Sequence, residues 1–306
     1  MNDYPNASSK TLTVSRRWAW FLAARPATLP AAIVPVLVGT AAAVSEGRFR
    51  LGPFVGALTA ALLIQVATNY SNDYFDYRSG ADAPSRLGPV RLLQSGAVPP
   101  RQVLLAAMLC FAAATVVGLY LVWVGGWPIL AIGVLSILAG LAYTGGPYPL
   151  GYHGLGDVFV FIFFGLVAVM GTYYLHTGAV SALAFWASIP VGMLVTAILV
   201  VNNVRDIETD RAAGKRTLAT RIGRRASRAQ YVCLVALAYL VPPGLWLAGL
   251  MGGWFWLPAP TLPLAYLACR TVISHDDGPT LNRMLKATGR LHLLYGLLFA
   301  VALAAS

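Results

Sequence analysis

Long apolar stretches broken by short polar ones run through the whole chain. They predict nine hydrophobic segments, over 19–45, 51–77, 102–124, 127–144, 157–177, 183–204, 229–250, 254–274 and 285–305. A run of about 18 or more apolar residues reads as a membrane span. The apolar–polar alternation of a barrel strand is absent, so the spans are expected to be helices, which satisfy their own backbone in lipid. The fold class expected is therefore an all-α polytopic membrane protein. Residues 1–14 are polar and are predicted to form a disordered cytoplasmic tail. No linker or low-complexity tract divides residues 15–306, which read as one transmembrane domain. Ser15-Arg16-Arg17 faintly resembles a twin-arginine export signal, but the run that follows is too long and contains Arg25, Pro26 and Pro30.

Composition agrees with this pattern: 58% of residues are hydrophobic and 11% charged, against about a quarter charged in soluble domains. Charge adds a topology. If the nine segments alternate from a cytoplasmic start, 20 of the 22 Lys and Arg residues fall on the cytoplasmic side and only Arg48 and Arg50 fall outside. That asymmetry follows the positive-inside rule and puts the N-terminus in the cytoplasm and the C-terminus outside. The net charge of +11 is thus a property of one membrane face, and no soluble basic domain exists to carry nucleic acid. Cys110, Cys233 and Cys269 lie in apolar stretches without metal or redox spacing and read as small buried hydrophobes.

The acids locate the chemistry. Six of the eleven fall in two short stretches, Asp73, Asp76 and Asp82, then Asp206, Glu208 and Asp210. Each stretch opens at the cytoplasmic end of a hydrophobic segment, and each contains Asn-x-x-x-Asp: Asn72 with Asp76, and Asn202 with Asp206. Helical spacing puts Asn72 and Asp76 on one face, and likewise Asn202, Asp206 and Asp210. Acids at the end of a membrane helix are functional candidates. The copies lie 130 residues and four segments apart, which suggests a duplicated four-helix unit plus one extra helix. Both copies face the same side, so the repeat is parallel, unlike the inverted repeats of many transporters. Carboxylates and amides on short helical spacings suit Mg²⁺, which completes its shell with substrate phosphates. Arg86 and Arg91 follow the first stretch, and Arg211, Lys215 and Arg216 the second. Acids for a metal beside bases for oxyanions are what a diphosphate requires. A third cytoplasmic loop, Tyr143 to Asp157, is rich in Gly and Pro and has no Lys or Arg; its aromatic and polar groups are placed to wall an acceptor pocket. His153 lies in it, while His176, His275 and His292 are scattered without zinc spacing.

These residues resemble the UbiA superfamily of intramembrane aromatic prenyltransferases. The resemblance rests on Arg25-Pro26-x-Thr28-Leu29; Asn72-Asp73-Tyr74-x-Asp76 with Gly80 and Asp82; Arg86-Leu87-Gly88-Pro89-Val90-Arg91 running to Gln94-Ser95-Gly96; Tyr143-Thr144-Gly145-Gly146-Pro147; and Asn203-x-Arg205-Asp206-Ile207-Glu208-Thr209-Asp210 with Gly214-Lys215-Arg216-Thr217-Leu218. It covers nearly the whole chain beyond the tail. The acidic stretches mark the superfamily; the Arg86–Arg91 stretch and the Tyr143–Pro147 loop are similar to the branch that uses 1,4-dihydroxy-2-naphthoate in menaquinone synthesis. In one respect the chain departs from the general pattern. The superfamily's third Asp would fall at Gly80, and Asp82 comes two residues later. Whether Asp82 takes the metal role is open at this point.

The resemblance implies nine helices ringed around a central cavity, with the two motifs facing each other beneath cytoplasmic caps. It implies Mg²⁺ on Asn72, Asp73, Asp76, Asp82, Asn202, Asp206 and Asp210, with Asp76, Asp206 and Asp210 central to catalysis. Arg86, Arg91, Lys215 and Arg216 would hold the diphosphate of a polyprenyl donor drawn from the lipid bilayer, and Arg25, Asn69 and Tyr143 would orient the aromatic acceptor. The expected reaction is prenyl transfer to 1,4-dihydroxy-2-naphthoate with loss of carbon dioxide, giving demethylmenaquinone. Acceptors such as 4-hydroxybenzoate or homogentisate remain open. A secondary transporter is the alternative of another class; the clustering of acids at one face, away from the midplane, weighs against it.

Overall fold

A computed structural model describes residues 16–80, 92–93 and 98–306. Among them the elements are helical. They are α1 (Arg16–Ala23), α2 (Pro30–Ser45), α3 (Leu51–Arg78), α4 (Pro100–Gly125), α5 (Trp127–Ala142), α6 (Gly156–Thr177), α7 (Ala182–Ala212), α8 (Leu218–Leu247), α9 (Leu262–Ser274) and α10 (Gly278–Ala304). Each of the nine predicted segments is found, the first as the pair α1 and α2. The two halves of that pair meet at a 45° bend. Pro26 and Pro30 explain it, because neither supplies a backbone donor and each opens a new helical stretch. Arg25, at the bend, has φ 52 and is the one non-glycine residue with positive φ among those described. A bulky residue held in that region is strained, and such strain clusters at functional sites.

Six helices are long and apolar enough to cross a membrane, seven counting the bent pair. The other two segments give shorter helices. α5 stops at Ala142, where Tyr143 begins the glycine-rich loop. α9 has 13 residues because Pro258, Pro260 and Pro263 confine the preceding stretch to two 3₁₀ turns. Helix starts elsewhere follow capping chemistry. The side chains of Ser181, Thr217 and Asp277 accept from the backbone N–H groups of Ala184, Thr220 and Thr280.

The helices close a ring. α2 packs on α3, α6 and α10; α3 on α4; α4 on α5; α6 on α7; α7 on α8 and α10; and α9 on α8 and α10. The repeat is visible in the helix bounds. A shift of 130 residues carries α3 onto α7, α5 onto α9, and α2 onto the body of α6. α7 is the most enclosed span, packed through Leu194, Ala197, Val201 and Val204 against the largest buried cluster. Large apolar side chains face outward elsewhere, Leu109, Val116 and Leu240 among them, as a lipid-facing surface requires. Trp123, Trp127, Trp246, Trp254 and Trp256 are exposed at the helix ends opposite the acidic motifs, where an interfacial aromatic belt is expected.

α6 carries a π-helical stretch over Phe161–Val167. Here the chain approaches α7 closely: a Cβ at Gly165 would lie 2.7 Å from Gly192 Cα. Gly165→Ala should therefore lower stability by about 1–3 kcal/mol through overpacking. Thermal unfolding in detergent tests this, with Gly244→Ala as the control, since nothing lies within 4 Å of a Cβ there.

Candidate active site

The ring encloses a cavity of about 710 Å³. Its polar end is built by the C-terminal turns of α3 and α7, and its other walls by apolar residues such as Val122, Ile132, Phe159, Phe163, Phe164 and Val167. Asn69, Asn72, Asp73 and Asp76 sit at helical i, i+3, i+4, i+7 spacing and all line it. From the other side Asn202, Asp206 and Asp210 line the same space. The two motifs, 130 residues apart in sequence, thus share one cavity.

On the first motif, Thr144 Oγ1 donates to Asn72 Oδ1 at 2.8 Å. Arg25 Nη2 donates to Asp73 Oδ1 at 2.8 Å, so the strained residue of the bend is tied to the metal-candidate helix. Asp76, 2% exposed, accepts from Lys215 Nζ at 3.2 Å and from the Tyr152 hydroxyl. Lys215 also lies 4.4 Å from the Tyr152 ring centroid and 4.0 Å from Asp210. On the second motif, Arg205 grips both oxygens of Asp206 and donates to Asn202 Oδ1 at 2.8 Å and to Asn282. The side chains of Arg205 and Asp206 are 1% and 5% exposed, so this is a buried, two-pronged ion pair.

The third loop is anchored beside the motifs. Arg216 N–H donates to Tyr152 O at 2.8 Å, and Arg221 Nη2 to His153 O at 2.9 Å. His153 bonds Pro149 O at 2.8 Å, stacks on Tyr148, and does not line the cavity. Tyr143 does line it, beside Gly151 and Gly156, where a Cβ would come within about 3 Å of the Tyr143 ring, its hydroxyl or its carbonyl.

The structure brings together Arg25, Asn69, Asn72, Asp73, Asp76, Tyr143, Asn202, Asp206, Asp210 and Lys215. Arg216 is exposed and outside the cavity lining; its backbone, not its guanidinium, braces the loop. Asn69 donates to Ala24 O at 2.9 Å and to Thr28 Oγ1 at 3.4 Å, which makes it a brace for the bend carrying Arg25. Asp82, Arg86 and Arg91 lie outside the described residues. Four residues had no role assigned by sequence reasoning: Tyr152, Thr144, Arg205 and Asn282. Thr144 and Arg205 stand inside the quoted motifs and Tyr152 inside the third loop, where a hydroxyl or guanidinium near acids is a usable signal. Asn282, on α10, has no sequence signal.

No group of three or more His, Cys, Asp or Glu converges into a ready-made metal cage among the described residues. Each motif instead offers two carboxylates to the cavity, with Arg25, Lys215 and Arg205 as counter-charges. That donor set fits Mg²⁺ arriving with a diphosphate, since Mg²⁺ takes one or two carboxylates per site and fills its shell with phosphate oxygens and water.

The fold and cavity define a polytopic helical membrane protein with an acidic, cation-lined site at one face of its bundle. Residues 32–292 match the UbiA prenyltransferase family, and the chain belongs to that family. It is 37% identical over 297 residues to the 1,4-dihydroxy-2-naphthoate octaprenyltransferase of Escherichia coli, covering 95% of this chain and 96% of that one. It is 39% identical over 285 residues to the enzyme of the same name from Mycobacterium tuberculosis, covering 93% and 96%. Its fold is similar to a UbiA homolog from Archaeoglobus fulgidus bound to DMAPP and Mg²⁺, with TM-score 0.64 at 15% identity over 94% of this chain and 99% of that one.

Proposed function

We propose that the protein transfers a polyprenyl group from polyprenyl diphosphate to 1,4-dihydroxy-2-naphthoate with loss of carbon dioxide, giving the prenylated naphthoquinol that oxidises to demethylmenaquinone. The observation that carries this reading is identity of 37–39% along more than nine-tenths of the chain to enzymes named for that reaction. The cavity supports it chemically. Asn72, Asp73, Asp76, Asn202, Asp206 and Asp210 would hold Mg²⁺, which when bound supplies neutralisation of the charge growing on the departing diphosphate. Lys215 adds a positive charge beside Asp76 and Asp210. Arg86 and Arg91 are proposed to join it, and Asp82 to supply the carboxylate that Gly80 lacks.

The apolar wall through Phe159, Phe163, Phe164 and Val167 takes the first isoprene units and keeps water from the allylic cation. As the carbon–oxygen bond of the donor breaks, its electron pair leaves with diphosphate. The ring carbon bearing the carboxylate then forms the new carbon–carbon bond, and the carboxyl's electron pair returns to the ring as carbon dioxide departs. Arg25 and Tyr143 orient the acceptor carboxylate and hydroxyl, and Asn69 holds the bend that presents Arg25. Arg25→Gly keeps the positive-φ backbone accessible and removes the guanidinium. It should raise the acceptor KM by about tenfold, as loss of one charged hydrogen bond implies, with a smaller change for the donor; steady-state kinetics with each substrate varied checks this.

The protein is proposed to sit in the cell membrane with its N-terminus cytoplasmic and its C-terminus external. A reporter fused after Ser306 should behave as external; a cytoplasmic reporter would mean that one of the short helices, α5 or α9, does not cross. The reaction itself is tested by supplying purified protein, Mg²⁺ and a labelled prenyl diphosphate with a panel of aromatic acids. Product should form from the naphthoate in preference to 4-hydroxybenzoate and homogentisate. Preference for either of those would assign another branch of the family.

A further inference from the structure

Away from the central cavity, a shallow groove of about 410 Å³ lies between α8 and the last turn of α9. Its α8 wall is one helical face, Arg225, Arg228, Ala229, Val232 and Cys233, and Ile273 closes it from α9. It shares no lining residue with the central cavity. The groove is basic at one end and apolar at the other. Arg225 to Cys233 spans about 12 Å of helix at 1.5 Å per residue, the scale from a lipid phosphate to the upper acyl chain.

The charges at the basic end are unevenly used. Arg228 donates to His275 O and, at 2.8 Å, to Asp276 Oδ1, which fixes the α9–α10 connection. Its Nε is buried without a hydrogen-bond partner. Arg224 pairs with Asp276 at 3.3 Å and with Glu208 at 3.8 Å. Arg225 is exposed and makes no ion pair or hydrogen bond with the described residues. With Asp276 already held by two guanidiniums, Arg225 leaves the groove mouth with an uncompensated positive charge, and the Arg228 side chain lines the groove beside it.

We infer that this groove seats one phospholipid with an anionic headgroup from the cytoplasmic leaflet, its phosphate on Arg225 and Arg228 and its acyl chain along Val232, Cys233 and Ile273. Charge complementarity selects the occupant. The cytoplasmic leaflet is negative, and basic pockets between membrane helices on that side suit acidic headgroups. The inference uses the proposed orientation of the basic face but not the catalytic reading. A lipid there would brace α8 against the α9–α10 connection, where α9 packs on α8 and α10.

Native mass spectrometry of the full chain, after exchange into equal phosphatidylglycerol and phosphatidylcholine, tests it. The parent should retain phosphatidylglycerol over phosphatidylcholine by about fivefold or more, the ratio implied by roughly 1 kcal/mol per basic residue at the surface. Arg225→Gln should remove the preference, and Ala229→Trp, which fills the groove at unchanged charge, should remove the bound lipid. Cys233→Trp replaces the latter if it fails to fold by thermal unfolding. Equal retention of the two lipids by the parent would overturn the inference. So would an unchanged preference in Arg225→Gln, which would leave an unselective apolar crevice, or parent-like retention in Ala229→Trp, which would leave a surface charge effect. Displacement of the lipid by inorganic phosphate at equal concentration would also overturn it, as the mark of a simple anion site.

Discussion

Asp76→Asn is expected to cut turnover by about 10²–10³-fold, the scale for removing one pre-organised electrostatic contact to developing charge, while leaving the protein folded. The substitution keeps a group of the same shape for the Tyr152 hydroxyl to bond, and it leaves Lys215 with Asp210 as its remaining carboxylate. Lys215 can follow solvent, so the fold has an escape from the lost charge. The loss should also appear as a raised Mg²⁺ requirement, since Asp76 is proposed to ligate the metal. Initial rates against Mg²⁺ concentration, with thermal unfolding alongside, check the prediction. Turnover within about threefold of the parent would remove Asp76 from the machinery, as would activity that survives excess EDTA.

Asp206 should behave differently although it occupies the equivalent place in the repeat. Asp206→Ala leaves the Arg205 guanidinium buried with only amide partners at Asn202 and Asn282. Breaking a buried pair from one side destabilises by about 3–5 kcal/mol. This variant is therefore expected to lose both activity and stability, so its inactivity alone would say nothing about metal. Asp206→Asn with Arg205→Gln removes both charges together. It should recover most of the stability and stay inactive, which separates the two roles. Unfolding midpoints for the single and double variants give the coupling. A single Ala variant as stable as the parent would show that Arg205 finds another partner.

The contrast between Asp76 and Asp206 also marks what the sequence could and could not convey. Segment count, helical class and the repeat were legible because hydrophobic runs and the Asn-x-x-x-Asp pattern are local, and the offset that aligns α3 with α7 can be read from spacing alone. The bend at Arg25 was half legible: Pro26 and Pro30 announced a break, but the αL conformation of Arg25 and its reach to Asp73 depend on how α1 lies against α3. The shortness of α9 followed from three prolines in a stretch that hydropathy alone scored as continuous. Partner choice was hidden. Arg205 stood inside the quoted motif, yet its clamp on Asp206 uses Asn282 from a helix 77 residues away. Tyr152 stood in the quoted loop, yet its place over Lys215 and on Asp76 is set by Arg216 and Arg221 bonding that loop's backbone. Contacts between distant segments leave no trace in the spacing of either one.

Family membership fixes prenyl transfer chemistry in general terms, and the acceptor is the central claim. Carbon dioxide leaves the ring only if the prenyl group enters at the carbon bearing the carboxylate, which the para hydroxyls of 1,4-dihydroxy-2-naphthoate activate. A 4-hydroxybenzoate acceptor keeps its carboxylate, and homogentisate loses carbon dioxide from a side chain. The most direct measurement supplies purified protein, Mg²⁺ and polyprenyl diphosphate with naphthoate labelled in the carboxyl carbon, follows the label into gas, and determines the mass of the lipid product. The account predicts one labelled carbon dioxide for each prenyl group transferred and a product without the carboxylate; a prenylated naphthoate that retains its label would contradict it.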